Sequence, residues 1–197
     1  MISQKIKTVL VTGVIALGLC ACGQNGKIEE TSLKLEKDGT VVNTIVEDFD
    51  ETLYNVEDLK SMVLGEVAAF NSTAGADSIS VDKLEAEDGK IVLSMTYAGA
   101  GEYTEFNDSI LFSGTVLEAY EAGLDFDITL TSTQEDGGQI GKEEILKMGD
   151  YGIIILEEPV KVETASKILY TSDNVEVLSG KSAKVTETEE AAYLIIK

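Results

Sequence analysis

Residues 79–97 read ISVDKLEAEDGKIVLSMTY, and this stretch decides the fold class. Apolar and polar side chains alternate over 79–85 and again over 90–97, which is the period of a strand with one buried face. The two runs flank Glu87-Asp88-Gly89, and Asp-Gly between alternating runs is a strong signal for a hairpin turn. The segment therefore predicts an antiparallel β-hairpin.

A second hairpin and a helix are predicted on the amino-terminal side of this segment. Residues 31–36 and 41–47 are strand-like and are joined at Asp38-Gly39. Asn55 resembles a helix N-cap and is followed by acidic residues in the first turn. Apolar residues then recur at helical spacing, so residues 55–70 are predicted to form an amphipathic helix facing the sheet through Val56, Leu59, Val63, Val67 and Phe70.

Short helices and many short strands are predicted on the carboxyl-terminal side. The helices are expected at about 101–107, from the capping box Thr115-Val-Leu-Glu118 to Gly123, and at 142–148. The strand candidates are 124–132, 151–157, 160–163, 167–171, 174–178, 182–187 and 191–196, and the carboxyl end is interpreted as nearly pure hairpin. Because no linker-like stretch follows position 30, we predict a single α+β domain over 31–197, with a largely antiparallel sheet and two or three short helices.

The amino terminus has the pattern of an export signal. Lys5 and Lys7 precede an apolar run from 9 to 19 that is shorter than a membrane-spanning helix requires. The run ends in Leu19-Cys20-Ala21-Cys22, which resembles a bacterial lipobox: an aliphatic residue at −3, a small residue at −1 and cysteine at +1.

The lipobox resemblance implies how the chain is processed and where it is located. Residues 1–21 would be a lipoprotein signal peptide, Cys22 the lipidated residue and 22–30 a short tether. The protein would then be anchored at the extracytoplasmic face of the cell membrane. Lipidation at Cys20 is the rival, but it would place Leu19 at −1. An ordinary secretory signal with incidental cysteines is the other alternative.

The composition excludes most catalytic mechanisms. Acidic residues number 36 against 15 lysines, the net charge is −21, and histidine, arginine and tryptophan are absent. Without imidazole or guanidinium groups, most hydrolase, phosphotransferase and transition-metal mechanisms lose their usual side chains. The charge also disfavours nucleic acid, which binds through Lys and Arg. We therefore expect no catalytic residue, no cofactor and no nucleic-acid partner.

Two short motifs match parts of the serine β-lactamase set. They are Ser80-Val-Asp-Lys83 and Ser172-Asp173-Asn174. The nucleophilic serine of that family must open a helix, whereas Ser80 lies in a predicted strand. We interpret both motifs as chance matches.

Acidic pairs suggest two alternatives. Asp48 and Asp50, or Asp125 and Asp127 on one face of the predicted strand 124–132, could supply oxygen ligands for weak calcium binding. None of them has the spacing of a calcium-binding loop, so solvated surface is the competing explanation. Two carboxylates could also serve a hydrolase, which is the runner-up to a noncatalytic role.

Aromatic residues are concentrated in one part of the chain. Six of the twelve, from seven tyrosines and five phenylalanines, lie between positions 97 and 126. The plain explanation is that they fill the core. The functional alternative is a groove beside the small residues 98–101, where the predicted ligand-binding residues are Tyr97, Tyr103, Phe106 and Asn107.

The segments YAGAGEYTEFN (97–107) and FSGTVLEA (112–119) are similar to a recurring stretch in uncharacterised lipoproteins of clostridial, gut-type bacteria. The resemblance covers nearly the whole chain after the signal peptide and implies a location but no activity. The sequence thus predicts a lipid-anchored, noncatalytic module that binds a protein, a peptide or a small ligand at the outer face of the cytoplasmic membrane. A carboxylate-dependent hydrolase and a purely structural surface lipoprotein are the alternatives.

Overall fold

The computed structural model describes residues 30–135, 137–186 and 190–197. Over these residues the chain forms one α+β domain, as predicted; it has two mostly antiparallel sheets and four helices, where one sheet and two or three short helices were expected. The helices are α1 Val56–Ala74, α2 Ala100–Asn107, α3 Val116–Glu121 and α4 Lys142–Leu146. The strands are β1 Ser32–Leu35, β2 Val41–Asp48, β3 Ile79–Glu87, β4 Lys90–Tyr97, β5 Leu111–Thr115, β6 Leu130–Ser132, β7 Gln139–Ile140, β8 Gly152–Leu156, β9 Lys161–Thr164, β10 Ile168–Thr171, β11 Val175–Ser179, β12 Ser182–Val185 and β13 Ala192–Ile196.

The predicted signal peptide, the predicted lipidation site Cys22 and nearly all of the predicted tether lie outside the described residues. Within the described part of the chain, no helix combines the length and the apolar character needed to cross a membrane.

The first sheet contains both predicted amino-terminal hairpins. Its strand order is β11-β12-β9-β1-β2-β4-β3. The β1–β2 and β3–β4 hairpins turn at Gly39 and Gly89, whose φ angles of 92° and 75° suit glycine. All neighbouring strands are antiparallel except β1 and β9, which run parallel with Ser32 opposite Lys161. This parallel pair connects the amino-terminal half of the sheet to the carboxyl-terminal half.

The second sheet is built around two fully apolar strands. Its order is β5-β8-β13-β10-β6-β7, and every neighbouring pair is antiparallel. Ile154 of β8 packs in the main core, whereas Ile153 and Ile155 pack in a second core on the other face. Strands buried on both faces need apolar residues at successive positions, which explains the uninterrupted apolar run in β8.

The main core contains side chains from both sheets and from helices α1 and α2. The second core lies between the second sheet and the segment that carries α3 and α4. The second sheet is therefore the shared layer between the two cores.

Helix α1 begins after its predicted N-cap, Asn55, and extends to Ala74, four residues beyond the predicted end at residue 70. The side-chain oxygen of Asn55 accepts hydrogen bonds from the backbone N–H groups of Glu57 and Asp58, at 2.8 and 3.2 Å. The predicted inward residues Leu59, Val63 and Val67 are buried, while Val56 and Phe70 are partly buried against the same core.

The capping box that opens α3 is also confirmed. The backbone N–H of Thr115 donates to Glu118 Oε2 at 2.7 Å, and the N–H of Glu118 donates to Thr115 Oγ1 at 3.1 Å. These reciprocal bonds satisfy two donors at the start of the helix.

Two predictions about the carboxyl-terminal half are wrong. Of the predicted strand 124–132, only Leu130–Ser132 is a strand, so Asp125 and Asp127 do not share a strand face. The backbone N–H of Asp127 instead donates to Asp125 Oδ1 at 2.8 Å, a local turn that competes with strand pairing. The carboxyl end is not a series of hairpins either: β11 and β12 form one, but the strands on either side of that pair belong to the other sheet.

Candidate functional site

The four residues predicted to form a ligand surface lie in the interior. Tyr97, Tyr103, Phe106 and Asn107 are 0%, 1%, 4% and 6% exposed. The ring of Tyr97 contacts those of Tyr103 and Phe106, with centroids 5.1 and 6.0 Å apart. These residues present no surface to a ligand, so the predicted site is corrected: the cluster is core.

The polar tips of this cluster are satisfied within the protein. The Tyr103 hydroxyl donates to Glu158 Oε2 at 2.8 Å, and the Asn107 side-chain amide donates to the Tyr103 carbonyl at 2.9 Å. Burial raises the pKa of Tyr97 and of Tyr103 above the ordinary tyrosine value, and the charge of Glu158 adds to the increase for both. Both hydroxyls therefore stay neutral at physiological pH and serve packing.

The calcium candidates do not assemble into a site. Asp48 lies 4.0 Å from the Lys90 ammonium, and Asp50 Oδ1 accepts hydrogen bonds from Thr52 N and Oγ1 at 2.9 and 2.6 Å. Asp125 and Asp127 lie in a different part of the fold. Among the described residues there is no group of three or more Asp or Glu side chains arranged to hold a metal ion.

The clearest candidate site is a cleft of about 440 Å³ at one end of the second sheet. Its volume is within the range of small-molecule sites. The deeper residues Ile155 and Tyr193 are buried, whereas the four acidic residues of the lining are exposed and border the opening. The full lining is Ile110, Leu124, Asp125, Asp127, Ile128, Ile155, Glu157, Glu190, Ala191 and Tyr193.

Strand pairing brings the acidic residues of the rim together. Strands β8 and β13 are antiparallel neighbours with Leu156 opposite Ala192. The last residue of β8 and the first residue of β13 therefore lie side by side at the same end of the sheet, which places Glu157 beside Glu190 and Ala191. The segment 124–128 completes the lining and supplies two further carboxylates, from Asp125 and Asp127.

Hydrogen bonds hold two walls of the cleft in place. The Tyr193 hydroxyl donates to the Asp125 carbonyl at 2.8 Å and so connects the segment 124–128 to β13. The backbone N–H of Glu157 donates to the Ile110 carbonyl at 3.3 Å. The backbone of these two walls is therefore preformed, which lowers the entropic cost of binding a ligand.

The Ser172-Asp173-Asn174 motif has a structural role beside this cleft. Ser172 Oγ donates to Asn174 Oδ1 at 2.6 Å and accepts from the backbone N–H of Tyr193 at 2.9 Å. The Asn174 amide donates to the Glu190 carbonyl at 3.0 Å. The motif thus positions Glu190 and Tyr193. The other motif residue, Ser80, lies on β3 and donates to Asp82 at 3.1 Å.

The electrostatics of the cleft are uniformly negative. Its lining contains four carboxylates and no lysine. No ion pair within the described residues involves any of the four. The pKa of the Tyr193 hydroxyl is raised first by burial and then by the charges of Asp125 and Glu157, so the negative field extends to the deeper part of the cleft.

A second cavity of about 270 Å³ lies beside the start of α1. It is lined by Phe49, Leu53, Tyr54, Asn55, Asp58, Leu59 and Met62. It is smaller and more apolar than the cleft, and it lacks a converging set of charges.

Comparison with known proteins adds no assignment. No family model, no curated protein and no solved structure matches the chain.

Sequence reasoning named only part of the cleft. The spacing of Asp125 and Asp127 singles them out, although the sequence predicts them as calcium ligands on a strand that the structure does not have. Glu157, Glu190 and Tyr193 are missed, because only the pairing of β8 with β13 makes them neighbours. One signal was present: two apolar strand-like runs, 152–156 and 191–196, each have a glutamate next to one end.

Proposed function

We propose that this protein is a lipid-anchored, extracytoplasmic module that binds a ligand without chemically changing it. The cleft at the end of the second sheet is its binding site. The observation that carries the binding role is this preformed, acid-rimmed cleft with an apolar interior.

The anchor is proposed from the amino-terminal sequence. A basic start, a short apolar run and Leu19-Cys20-Ala21-Cys22 occur in the order that a lipoprotein signal requires. Acylation of Cys22 would supply the two or more chains that stable attachment needs, and the folded domain would then lie close to the outer face of the cytoplasmic membrane.

Binding is favoured over hydrolysis by the exposure of the acidic residues. A carboxylate-dependent hydrolase needs one carboxyl group in apolar surroundings, where it can keep a proton near neutral pH. Asp125, Asp127, Glu157 and Glu190 are all exposed at the rim. A rim of this kind suits recognition of charge better than proton transfer.

Metabolic labelling with palmitate tests the anchor. The full-length protein should incorporate label and remain with the membrane, and Cys22→Ala should abolish both. Cys20→Ala is the matched control and should retain label. Equal label in the protein and in Cys22→Ala would refute anchoring at this residue.

Fluorine NMR of the full chain, labelled with 3-fluorotyrosine and held in phosphatidylcholine nanodiscs, tests the binding role. Tyr193 is the one tyrosine among the cleft-lining residues, so its resonance reports occupancy. That resonance is assigned by its loss in Tyr193→Phe. Fractions of small molecules and peptides from the native envelope should shift the signal, and Ala191→Leu, which fills part of the cleft, should prevent the shift. A shift that persists in Ala191→Leu would place binding elsewhere.

A further inference from the structure

We infer that the cleft selects organic cations, namely a protonated amine carried on an apolar stem. This inference rests on the proposed binding function and specifies the chemical class of the ligand. It follows from the combination of a cavity, an apolar interior and a rim whose charges are all negative, since acidic residues alone would not define a site.

The charge of the ligand follows from the rim. Four carboxylates border the opening, no lysine lines it, and none of the four takes part in an ion pair within the described residues. An anionic ligand would be repelled. A cation would form charge-assisted hydrogen bonds with these carboxylates, and hydrogen bonds fix the backbone of two of the residues that carry them, Asp125 and Glu157.

The apolar stem follows from the interior of the cleft. Ile155 is buried, Leu124 and Ile128 are partly buried, and Ile110 is 43% exposed at the edge of the opening. A ligand that covers Ile110 and the deeper residues removes apolar surface from water, which favours binding in proportion to the area covered. Ala191 adds a small residue beside Glu157, where an alkyl chain has room.

A bare metal ion fits this cleft poorly. Calcium is held by six to eight oxygen atoms that converge on one point. The carboxylates here are distributed around an apolar cavity, and no group of three or more in the described part of the chain is arranged for a metal ion. An ammonium group on a stem can instead contact one or two carboxylates while its stem occupies the cavity.

The inference is tested by titration of the full chain in phosphatidylcholine nanodiscs, followed through the fluorine resonance of Tyr193. The ligands are pentylamine, its neutral analogue 1-pentanol, its anionic analogue pentanoate, and calcium chloride. Nα-acetyl-lysine methylamide distinguishes a lysine side chain on a peptide from a free amine. Because the ammonium group contacts one or two carboxylates and the whole rim is negative, pentylamine should bind roughly tenfold or more tightly than 1-pentanol, a difference of about 1.4 kcal/mol.

Two variants test the two halves of the inference separately. Glu157→Gln removes one rim charge and should weaken pentylamine binding roughly threefold, with 1-pentanol unaffected. Ala191→Leu keeps every charge and should abolish binding of both. Glu176→Gln, an exposed position on β11 of the other sheet, is the charge-matched control and should leave both affinities unchanged.

Each contrary outcome has a definite meaning. Equal binding of pentylamine and 1-pentanol, both blocked by Ala191→Leu, would overturn the cation inference and leave the cleft as a binding site. Calcium binding that competes with pentylamine would overturn it in favour of a metal ion. Failure of both amines at their solubility limits would also overturn it, while the envelope fractions would still decide the proposed function independently.

Discussion

Two asparagine side chains act as backbone partners in this fold. The Asn71 amide donates to the Ile79 carbonyl at 2.8 Å and its oxygen accepts from the Ile79 N–H at 3.0 Å, so one side chain satisfies both groups of a residue on the edge strand β3. The Asn174 amide donates to one backbone group, the carbonyl of Glu190, while its oxygen accepts from the Ser172 hydroxyl. Asparagine suits this role because its amide carries a donor and an acceptor, as a peptide group does.

Asn71→Ala should lower the free energy of unfolding by about 1–3 kcal/mol. Ile79 is buried, and its backbone groups would lose their partners without gaining water. Urea denaturation followed by circular dichroism measures the change. Ser72→Ala, at the next and exposed position, is the control and should change stability by less than about 0.5 kcal/mol. Equal effects of the two substitutions would show that the Asn71 bonds contribute nothing.

Buried tyrosines make the fold sensitive to alkali. The pKa of Tyr97 and that of Tyr103 are raised by burial, so the unfolded chain releases these protons near pH 10 while the folded chain retains them. The unfolded state then binds fewer protons, and stability must fall as the pH rises above about 10, by up to about 1.4 kcal/mol per pH unit for each ring.

Replacing both hydroxyls should make that fall shallower. The Tyr97→Phe, Tyr103→Phe double variant is expected to start from a lower stability, because the hydrogen bond to Glu158 is lost. The decisive quantity is the slope of the free energy of unfolding against pH between about pH 9.5 and 11. Tyr120→Phe, at a half-exposed ring, should keep the slope of the unmodified protein. An unchanged slope in the double variant would contradict the assignment.

At the scale of elements, helix α1 presents one face to the main core. Leu59 is 5% exposed on that face, whereas Leu64 is 47% exposed on the opposite side of the same helix. Leu59→Ala should therefore lower the free energy of unfolding by about 2–5 kcal/mol, since it leaves a cavity. Leu64→Ala should change it by less than about 1 kcal/mol. Thermal unfolding of the two variants compares them directly, and equal melting temperatures would mean that the helix is not docked as described.

Local sequence patterns predicted the elements that local interactions determine. The Asp-Gly turns define two hairpins, and Asn55 and Thr115 cap the helices that follow them. The failure at 124–129 has the same origin. Leu124, Phe126 and Ile128 alternate with polar residues because one side of this segment packs against the second core and the other faces water. Alternation reports that difference in burial, and it does not show whether a strand lies alongside.

At the scale of the whole molecule, pairing between distant strands determines both the architecture and the cleft. The parallel pair β1–β9 and the division of the carboxyl-terminal strands between two sheets have no local signal. The same is true of the meeting of Glu157 with Glu190, which depends on the pairing of β8 with β13. From sequence alone, Tyr97, Tyr103 and Phe106 fit either a core or a ligand groove, because aromatic side chains are common in both.

The second sheet should make the two cores unfold as one unit. Ile153 and Ile154 are adjacent on β8, fully buried, and packed in different cores. A strand cannot leave one core and remain in the other, so disruption of either core must disrupt both. Ile153→Ala and Ile154→Ala should each lower the free energy of unfolding by about 2–5 kcal/mol in a single transition.

Fluorotyrosine signals can follow each core separately during urea denaturation. Tyr103 reports the main core and Tyr193 the second core. If β8 couples the two cores, both signals should change with the same midpoint in the unmodified protein and in each variant. An Ile153→Ala protein in which Tyr193 changes at a lower urea concentration than Tyr103 would show instead that the second core can open on its own. In that case the cleft, whose Ile155 and Tyr193 belong to the second core, would open with it while the main core stays folded.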